Sequence, residues 1–458
     1  MDATSLNKAL RRSLRAALPA AALAVGLGLS PAQAQSLQEA LAQAYTSNPT
    51  LEAERAQLRA TDELVPQARA NYLPQVTASG DIARQRTETN SQVAAITPKS
   101  VDLSVSQPIY RGGRTTAQVD QAEAAVRAQR AALTATEQLV LLNAATAYFD
   151  VVRDQAVLDL NVNNEQVLRR QLEAAQDRFR VGEITRTDVS QSESRLSRAN
   201  ADRILSEGLL NASRAVFARL VGVVPGKLQQ PAPVLSLPTS LEETIALAEK
   251  NNPSVIAANY NLEGAQSAVD NAFGEMLPSV ALSGQVGRDW DTLARDSTRN
   301  TATIGARLTV PLYQGGGTSA RVREAKQTAS QRRMQVDEAV RQARETAIRS
   351  WEALVTARAS IKSRNDQVNS ANIALEGVRQ EATVGSRTVL DVLDAEQELL
   401  DARVQLVRAQ RDELVAAFQV LSAVGQLTAP QLGLPVQVYD QEAHYKEVRN
   451  KLWGQSID

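Results

Sequence analysis

Residues 107–113 read QPIYRGG and residues 310–316 read VPLYQGG, so one pattern of Pro, Tyr and paired glycines occurs twice. The two copies lie about 200 positions apart, and a pattern repeated along a chain indicates a duplicated structural unit. Paired glycines can cradle a phosphate, end a helix, or mark a change from one kind of secondary structure to another. The residues on either side of each copy decide among these interpretations.

Further matches at nearly the same offset cover most of the chain. Residues 36–49, SLQEALAQAYTSNP, match residues 240–253, SLEETIALAEKNNP. Two Val-Gly dipeptides, at residues 181–182 and 384–385, match in the same way. This order predicts a tandem duplication. The predicted units are a first repeat over residues 35–235, a second repeat over residues 236–429 and a C-terminal tail over residues 430–458.

The beginning of the chain has the composition of a targeting segment. Basic residues lie between Lys8 and Arg15, residues 16–29 are apolar, and the Ala-Gln-Ala that ends at Ala34 fits a cleavage site. This order predicts a secretory signal peptide over residues 1–34. A short membrane anchor is the alternative, but about 14 apolar residues are too few to span a bilayer.

Composition excludes several classes of function. The 458 residues carry 50 basic and 51 acidic side chains, a net charge of -1, so bulk electrostatics do not favour nucleic-acid binding. There is no Cys, and the single His, His444, lies in a polar region near the C-terminus, where neither a metal-ligand nor a general-base role is supported. The sequence therefore predicts no metal site, no cofactor and no enzyme activity.

Each repeat contains two predicted strands in which apolar and polar residues alternate. They form predicted hairpins over about residues 75–110 and about residues 279–311, with a polar loop over residues 84–99 in the first hairpin. Strands of about 10 residues suit a transmembrane barrel, which must close because no strand edge can face lipid. The smallest such barrels have about eight strands, so four strands per chain predict a barrel shared by two or three chains.

A very long helical stretch follows each pair of glycines. Residues 114–181 contain no Gly or Pro, and residues 318–384 contain one glycine, Gly377. At 1.5 Å per residue each predicted helix is about 100 Å long. A returning helix follows in each repeat, so the long helices extend over about residues 114–222 and 318–425. Their narrow apolar stripes predict coiled-coil packing around a hollow tube.

Together these features resemble the TolC family of Gram-negative outer-membrane channel-tunnels, over essentially the whole mature chain. The resemblance rests on the duplicated halves, the two Pro-x-Tyr-x-Gly-Gly patterns and the run VGSRTVLDVLDAE at residues 384–396, which is close to the family's helix-tip motif. It implies a mostly α-helical chain whose strands join a 12-stranded transmembrane β-barrel in a homotrimer. Long antiparallel helices would form a periplasmic α-barrel below the outer membrane.

The resemblance also implies a passive exit duct. Its expected partners are a periplasmic adaptor (a membrane fusion protein), an inner-membrane transporter and outer-membrane lipid. The run YDQEAHY at residues 439–445 is similar to members that work in type I protein secretion, which favours that function. The same scaffold serves multidrug efflux. A periplasmic coiled-coil adaptor or scaffold is the alternative from another class, but it leaves the four alternating strands unexplained.

The helix tips carry the residues of a predicted gate. Both returning helices begin with Thr-x-x-Asp, which ends at Asp188 and at Asp391, and this spacing alone predicts a capping box. The resemblance implies that Asp391 and Asp394 line the periplasmic aperture as a cation-binding ring, and that Asp188 and Arg387 form polar links that hold the helices closed. The family has a Tyr where this chain has Ala382, which predicts fewer closing links.

The Val-Gly dipeptides are predicted to form the surface on which the adaptor docks. Exposed glycines let another backbone approach closely, whereas a plain helix C-cap is the alternative role for them. The predicted docking residues are Val181, Gly182, Val384 and Gly385.

The repeated pattern of the opening is predicted to join the barrel to the tunnel. Pro ends the strand, Tyr lies at the membrane interface, and the glycines let the chain turn into the long helix. A phosphate loop is not supported, because neither G-x-x-x-x-G-K-[ST] nor G-x-G-x-x-G spacing occurs at these glycines. The junction residues are Pro108, Tyr110, Gly112, Gly113, Pro311, Tyr313, Gly315 and Gly316.

Overall fold

The computed structural model describes residues 36–90, 93–230, 236–292 and 294–456. The predicted signal peptide, residues 1–34, lies outside the described residues. Most of the described chain is helical, with a four-stranded antiparallel sheet and a short two-stranded sheet. Within these ranges every helix is too short or too polar to cross a membrane.

The first repeat runs from short helices into strands and then into a long helical hairpin. Ser36 begins the first helix with a capping box, and Asn48 caps the second, whose first residue is Pro49. The elements are α1 (Leu37–Ser47), α2 (Pro49–Asp62), α3 (Leu64–Arg69), a 3-10 turn (Ala70–Tyr72), β1 (Gln75–Ile82), β2 (Gln85–Glu88), β3 (Val93–Ile96), β4 (Lys99–Tyr110), α4 (Arg114–Arg180) and α5 (Arg186–Val221).

The second repeat has short helices, a hairpin and a long helical hairpin in the same order. Its elements are α6 (Leu241–Asn251), α7 (Pro253–Gly274), β5 (Ser279–Trp290), β6 (Thr298–Thr309), α8 (Gly317–Thr383) and α9 (Val389–Ala423), and α10 (Ala443–Val448) lies in the tail. Helices α4 and α8 each contain 67 residues, which confirms the two long helices predicted from the sequence. Each is therefore about 100 Å long.

The two long helical hairpins, α4–α5 and α8–α9, pack against each other. The main contact between them is that of α4 with α9, and α5 also touches α9. Helix α7 packs against both α4 and α8.

The four-stranded sheet has the order β1–β4–β5–β6, and every neighbouring pair is antiparallel. The central pair β4–β5 joins the two repeats, with Lys99 opposite Trp290 and Ser106 opposite Ser283. Within the described residues β1 and β6 each pair on one side. The sheet therefore ends in two open edges, which need partner strands or protection.

Two sequence expectations about the strands are wrong. Pro108 lies inside β4, where the register shifts between Pro108 and Tyr110, so proline does not end this strand. A bulge accommodates the missing N–H. In the second repeat β6 ends at Thr309, before Pro311, as expected. The predicted loop over residues 84–99 contains β2 and β3, which a period-two pattern does not mark because β2 is polar throughout.

The main apolar core lies between the first repeat and the end of α9. Phe149 packs edge-to-face on Phe418, with 5.5 Å between ring centroids. Tyr148 and Phe217 are fully buried beside them, and the Tyr148 hydroxyl donates to the Gln229 carbonyl at 2.7 Å. Aromatic contacts therefore fix α9 to the hairpin α4–α5.

The C-terminal tail packs back on the first repeat. The N–H of Ala429 donates to the buried carboxylate of Glu137 at 2.7 Å, and burial raises the pKa of Glu137. Nδ1 of His444 lies 3.2 Å from Oδ2 of Asp62. His444 therefore has a structural partner and helps to hold the tail.

Candidate functional site

The two long hairpins end in turns of the same construction. Helix α4 is followed by Val181 and Gly182, and α8 is followed by Val384 and Gly385. The two glycines have φ angles of 78° and 77°. Glycine adopts this left-handed conformation without a steric penalty, so it stops each helix and lets the chain reverse.

Each returning helix begins with a capping box. In α5 the Asp188 carboxylate accepts bonds from the N–H of Thr185 at 2.9 Å and from its hydroxyl at 2.7 Å. In α9 the Asp391 carboxylate accepts the same two bonds from Thr388, at 2.9 Å and 2.8 Å. The predicted capping role of both aspartates is confirmed.

The cap keeps Asp391 charged. The N–H of Thr388, then its hydroxyl and the positive charge of Arg387, lower the pKa of Asp391. A carboxyl group with a lowered pKa is ionised throughout the neutral range. Asp391 therefore presents a stable negative charge on the first turn of α9.

Arg387 bonds within its own turn. Its Nε donates to Oε2 of Glu381 at 2.8 Å, and this bond raises the pKa of Arg387. Asp188 is engaged by Thr185, and within the described residues of one chain no hydrogen bond or ion pair joins Asp188 to Arg387. The part of both residues in the polar links that hold the helix pairs closed stays a prediction.

Asp394 contacts the first hairpin instead of its own turn. Its carboxylate forms an ion pair with Arg195 of α5. Sequence reasoning missed Arg195, although it follows Asp188 by one heptad and so shares its helix face. The structure therefore adds Arg195 to the residues at the helix tips.

A small apolar cluster beside this ion pair also joins the hairpins. Leu168 of α4, Ala199 of α5 and Leu393 of α9 are buried together. Leu393 directly precedes Asp394, so one turn of α9 presents both an apolar and a charged contact to the first hairpin. Arg379 and Glu396 form a further ion pair, which lies inside the second hairpin.

The four predicted docking residues form exposed apolar tips. Val181 and Val384 are 79% and 80% exposed. A Cβ added at Gly182 or Gly385 would have no atom of the described residues within 4 Å. The backbone at both tips is therefore uncrowded, and the contact with an adaptor stays a prediction.

Both junctions between strand and long helix contain two consecutive left-handed glycines. Gly112 and Gly113 have φ angles of 66° and 77°, and Gly315 and Gly316 have φ angles of 62° and 80°. Gly113 and Gly316 are the N-cap residues of α4 and α8. The glycine pairs therefore turn the chain from the sheet into the helix. The nearby tyrosines, Tyr110 and Tyr313, are exposed.

These parts together define a class of protein. Helices about 100 Å long, each the first helix of a hairpin, run from an open-edged sheet whose strands expose large apolar side chains. Among the described residues, no cluster of His, Asp or Glu side chains could hold a metal ion. The architecture is that of an outer-membrane channel. The exposed strand residues include Val76, Ile82, Leu103, Val286, Ile304 and Leu308.

The sequence profile of the family described as outer membrane efflux protein matches residues 40–223 and 244–426, and the chain belongs to this family. Outer membrane efflux protein BepC of Brucella suis is 36% identical over 92% of this chain and 92% of its own length. Outer membrane protein TolC of Vibrio cholerae is 28% identical over 88% of this chain and 94% of its own. The alkaline protease secretion protein AprF of Pseudomonas aeruginosa is 26% identical over 79% of this chain and 75% of its own length.

A solved structure shows the same fold. The outer membrane protein VceC of Vibrio cholerae superimposes with a TM-score of 0.76 at 21% identity, covering 85% of this chain and 96% of that chain. The resemblance to the TolC family is therefore confirmed. The protein is an outer-membrane efflux or secretion channel with its helical hairpins in the periplasm. It is not an enzyme, and the alternative of a periplasmic adaptor or scaffold is wrong.

Proposed function

We propose that three copies of this chain form one channel-tunnel that acts as a passive exit duct. The observation that carries the proposal is the pair of open edges, β1 and β6, on a four-stranded sheet. Three such sheets supply 12 strands, and closing them into a barrel removes every edge. Helices α5 and α8, which carry exposed apolar side chains, would meet between copies in the same way.

The gate of this duct lies at the helix tips. Asp391 and Asp394 are on the first turns of α9, and Asp188 is on the first turn of α5. Arg387 lies in the turn just before α9. Three copies would place these charges around one axis, where carboxylates that are not otherwise paired bind cations. This end of the hairpins is the one farthest from the strands.

The exposed tips would serve as the docking surface of the adaptor. Val181 and Val384 offer apolar contact area, and Gly182 and Gly385 allow a partner backbone to approach. A passive duct has no energy source of its own. An inner-membrane transporter would therefore supply the energy and the adaptor would connect it to the tips.

For the cargo we place small toxic molecules first, as in a multidrug efflux pump. The relative at 36% identity is named an efflux protein, which supports this choice. Type I protein secretion, which the tail sequence favours, is the second candidate. The secretion protein AprF, at 26% identity, supports it.

A strain that lacks this chain tests the exit duct and its cargo together. We expect increased sensitivity to dyes, detergents and hydrophobic antibiotics, and restoration by the full-length chain. The protein content of the culture medium, measured by mass spectrometry, reports on secretion. Loss of secreted proteins with unchanged drug sensitivity would favour the second candidate, and no change in either would contradict an export role.

A further inference from the structure

We propose that the ion pair between Arg195 and Asp394 is a closing link within each chain, and that it withdraws Asp394 from cation binding. The inference rests on the proposed duct with its gate at the helix tips. Arg195 belongs to the first hairpin and Asp394 to the second, so the pair joins two hairpins that come from different repeats.

The surroundings of the pair favour a stable contact. The Arg195 side chain is 26% exposed, so it is mostly covered by its neighbours, whereas the Asp394 side chain is 57% exposed. Leu393, next to Asp394, is buried against Leu168 and Ala199 of the first hairpin. The apolar contact fixes the position of this turn of α9, which lowers the entropic cost of holding the ion pair.

The two aspartates of the tip are therefore not equivalent. Asp391 caps its own helix through Thr388 and forms no ion pair among the described residues. Asp394 is neutralised by Arg195. A carboxylate paired with an arginine is a poor ligand for a cation, because the cation must displace the guanidinium. In the closed state cations would bind at Asp391.

A second link between the hairpins lies higher up the helices. Nε of Arg411 in α9 donates to Oδ1 of Asp150 in α4 at 2.8 Å, and Arg153 bonds to the same carboxylate. Arg411 follows Asp394 by 17 residues, which is about 25 Å along the helix. If the Arg195–Asp394 pair breaks while the Arg411–Asp150 pair stays intact, the tip of the second hairpin moves away from the first hairpin and the aperture widens.

Single-channel recordings on the full protein test this link. With Arg195→Gln we expect the resting conductance to rise by about threefold or more, because three closing links are lost per channel. We also expect stronger block by a trivalent cation such as hexamminecobalt, because Asp394 becomes free. With Asp394→Asn the conductance should rise but the block should not strengthen. Arg195→Lys should restore part of the closure.

Arg198→Gln is the matched control, because Arg198 is also on α5 but pairs within its own helix, with Asp202. It should conduct and bind cations like the wild type. An Arg195→Gln variant that matches this control in conductance and in cation block would overturn the proposal. Weaker block in Arg195→Gln would overturn it too.

Hydrogen–deuterium exchange separates failure of the link from failure of the duct. Loss of the Arg195–Asp394 pair should speed amide exchange over residues 389–396 in Arg195→Gln. Exchange in Arg198→Gln should stay unchanged. Both expectations hold whether or not the protein forms a conducting channel. If no variant forms channels while this exchange difference persists, the duct is wrong and the link between hairpins stands. If channels form and exchange rises without a conductance change, the pair has no closing role.

Discussion

Asp62 is a buried carboxyl group with one oxygen that lacks a hydrogen-bond partner in the described structure. Burial raises the pKa of Asp62, and the hydrogen bond and charge of His444 offset this effect in part. Its folded pKa therefore lies above the ordinary value of 3.8, and the folded protein binds this proton more tightly than the unfolded chain. Asp62 makes its full contribution to the free energy of unfolding below about pH 3.8. This contribution is lost as the pH rises through the pKa that Asp62 has in the folded protein.

Asp62→Asn should therefore stabilise the protein at pH 7.5, because an amide needs no charge to be buried. We expect the midpoint of thermal unfolding to rise by about 1–2 °C, and the difference to shrink as the pH falls toward 4.5. Circular dichroism of the detergent-solubilised protein measures it. Asp120→Asn, an exposed site on α4, is the control and should show no change. A lower midpoint for Asp62→Asn at pH 7.5 would mean that the His444 contact outweighs burial.

Some residues of the site can be predicted from the sequence and others cannot. Asp188 and Asp391 are predictable because a capping box depends on four neighbouring residues. The pair Arg195–Asp394 is not, because it joins residues about 200 positions apart, and local periodicity does not say how two hairpins are placed. Arg387 bonds to Glu381 of its own turn, and the part that the family resemblance gives it in closing links stays a prediction.

At the level of elements, the two junctions share glycine geometry but differ in their surroundings. A Cβ on Gly112 would lie 2.8 Å from Cβ of Leu277 and would also collide with the carbonyl oxygen of Gly274. A Cβ on Gly315 would meet no described atom within 4 Å. Helix α7 therefore packs tightly on the first junction, while the second junction is open on the described surface of one chain.

Gly112→Ala and Gly315→Ala form a matched pair that tests this difference. Both place alanine in the left-handed region, at a cost of about 1–2 kcal/mol. Gly112→Ala also forces α7 to move, so we expect a clearly lower unfolding midpoint and less protein in the outer membrane. Gly315→Ala should show the smaller loss. Equal losses would indicate that a neighbouring chain covers Gly315 as closely as α7 covers Gly112.

The elements also show what a periodic pattern can and cannot predict. Helices α4 and α8 follow from long runs with at most one glycine and no proline, each preceded by a glycine pair and followed by a single glycine. Strands β1, β4, β5 and β6 follow from alternation. Strands β2 and β3 were missed, since Gln85–Glu88 is polar at every position and its pairing with Val93–Ile96 depends on backbone bonds.

In the whole molecule, the open edges of the sheet and the exposed apolar residues of α5 and α8 point to an assembly of several copies. A neighbouring copy would cover these residues. Leu205 and Leu209 are one turn apart on α5 and so share a face. The exposed residues are Ile204, Leu205, Leu209 and Val216 on α5, and Met334, Ile348, Val355 and Ile373 on α8.

Native mass spectrometry of the detergent-extracted protein should give three copies, the number that the family resemblance implies. Two copies would supply eight strands and three supply 12, but both counts close a barrel, so strand number alone does not decide between them. A double variant, Leu205→Glu with Leu209→Glu, should reduce the assembled fraction by about tenfold or more, because it buries charges between α5 and its neighbour. Val224→Glu, an exposed site after α5, is the control and should assemble normally. A dimer, or a trimer that tolerates both glutamates, would contradict the arrangement in which α5 of one copy packs on α8 of the next.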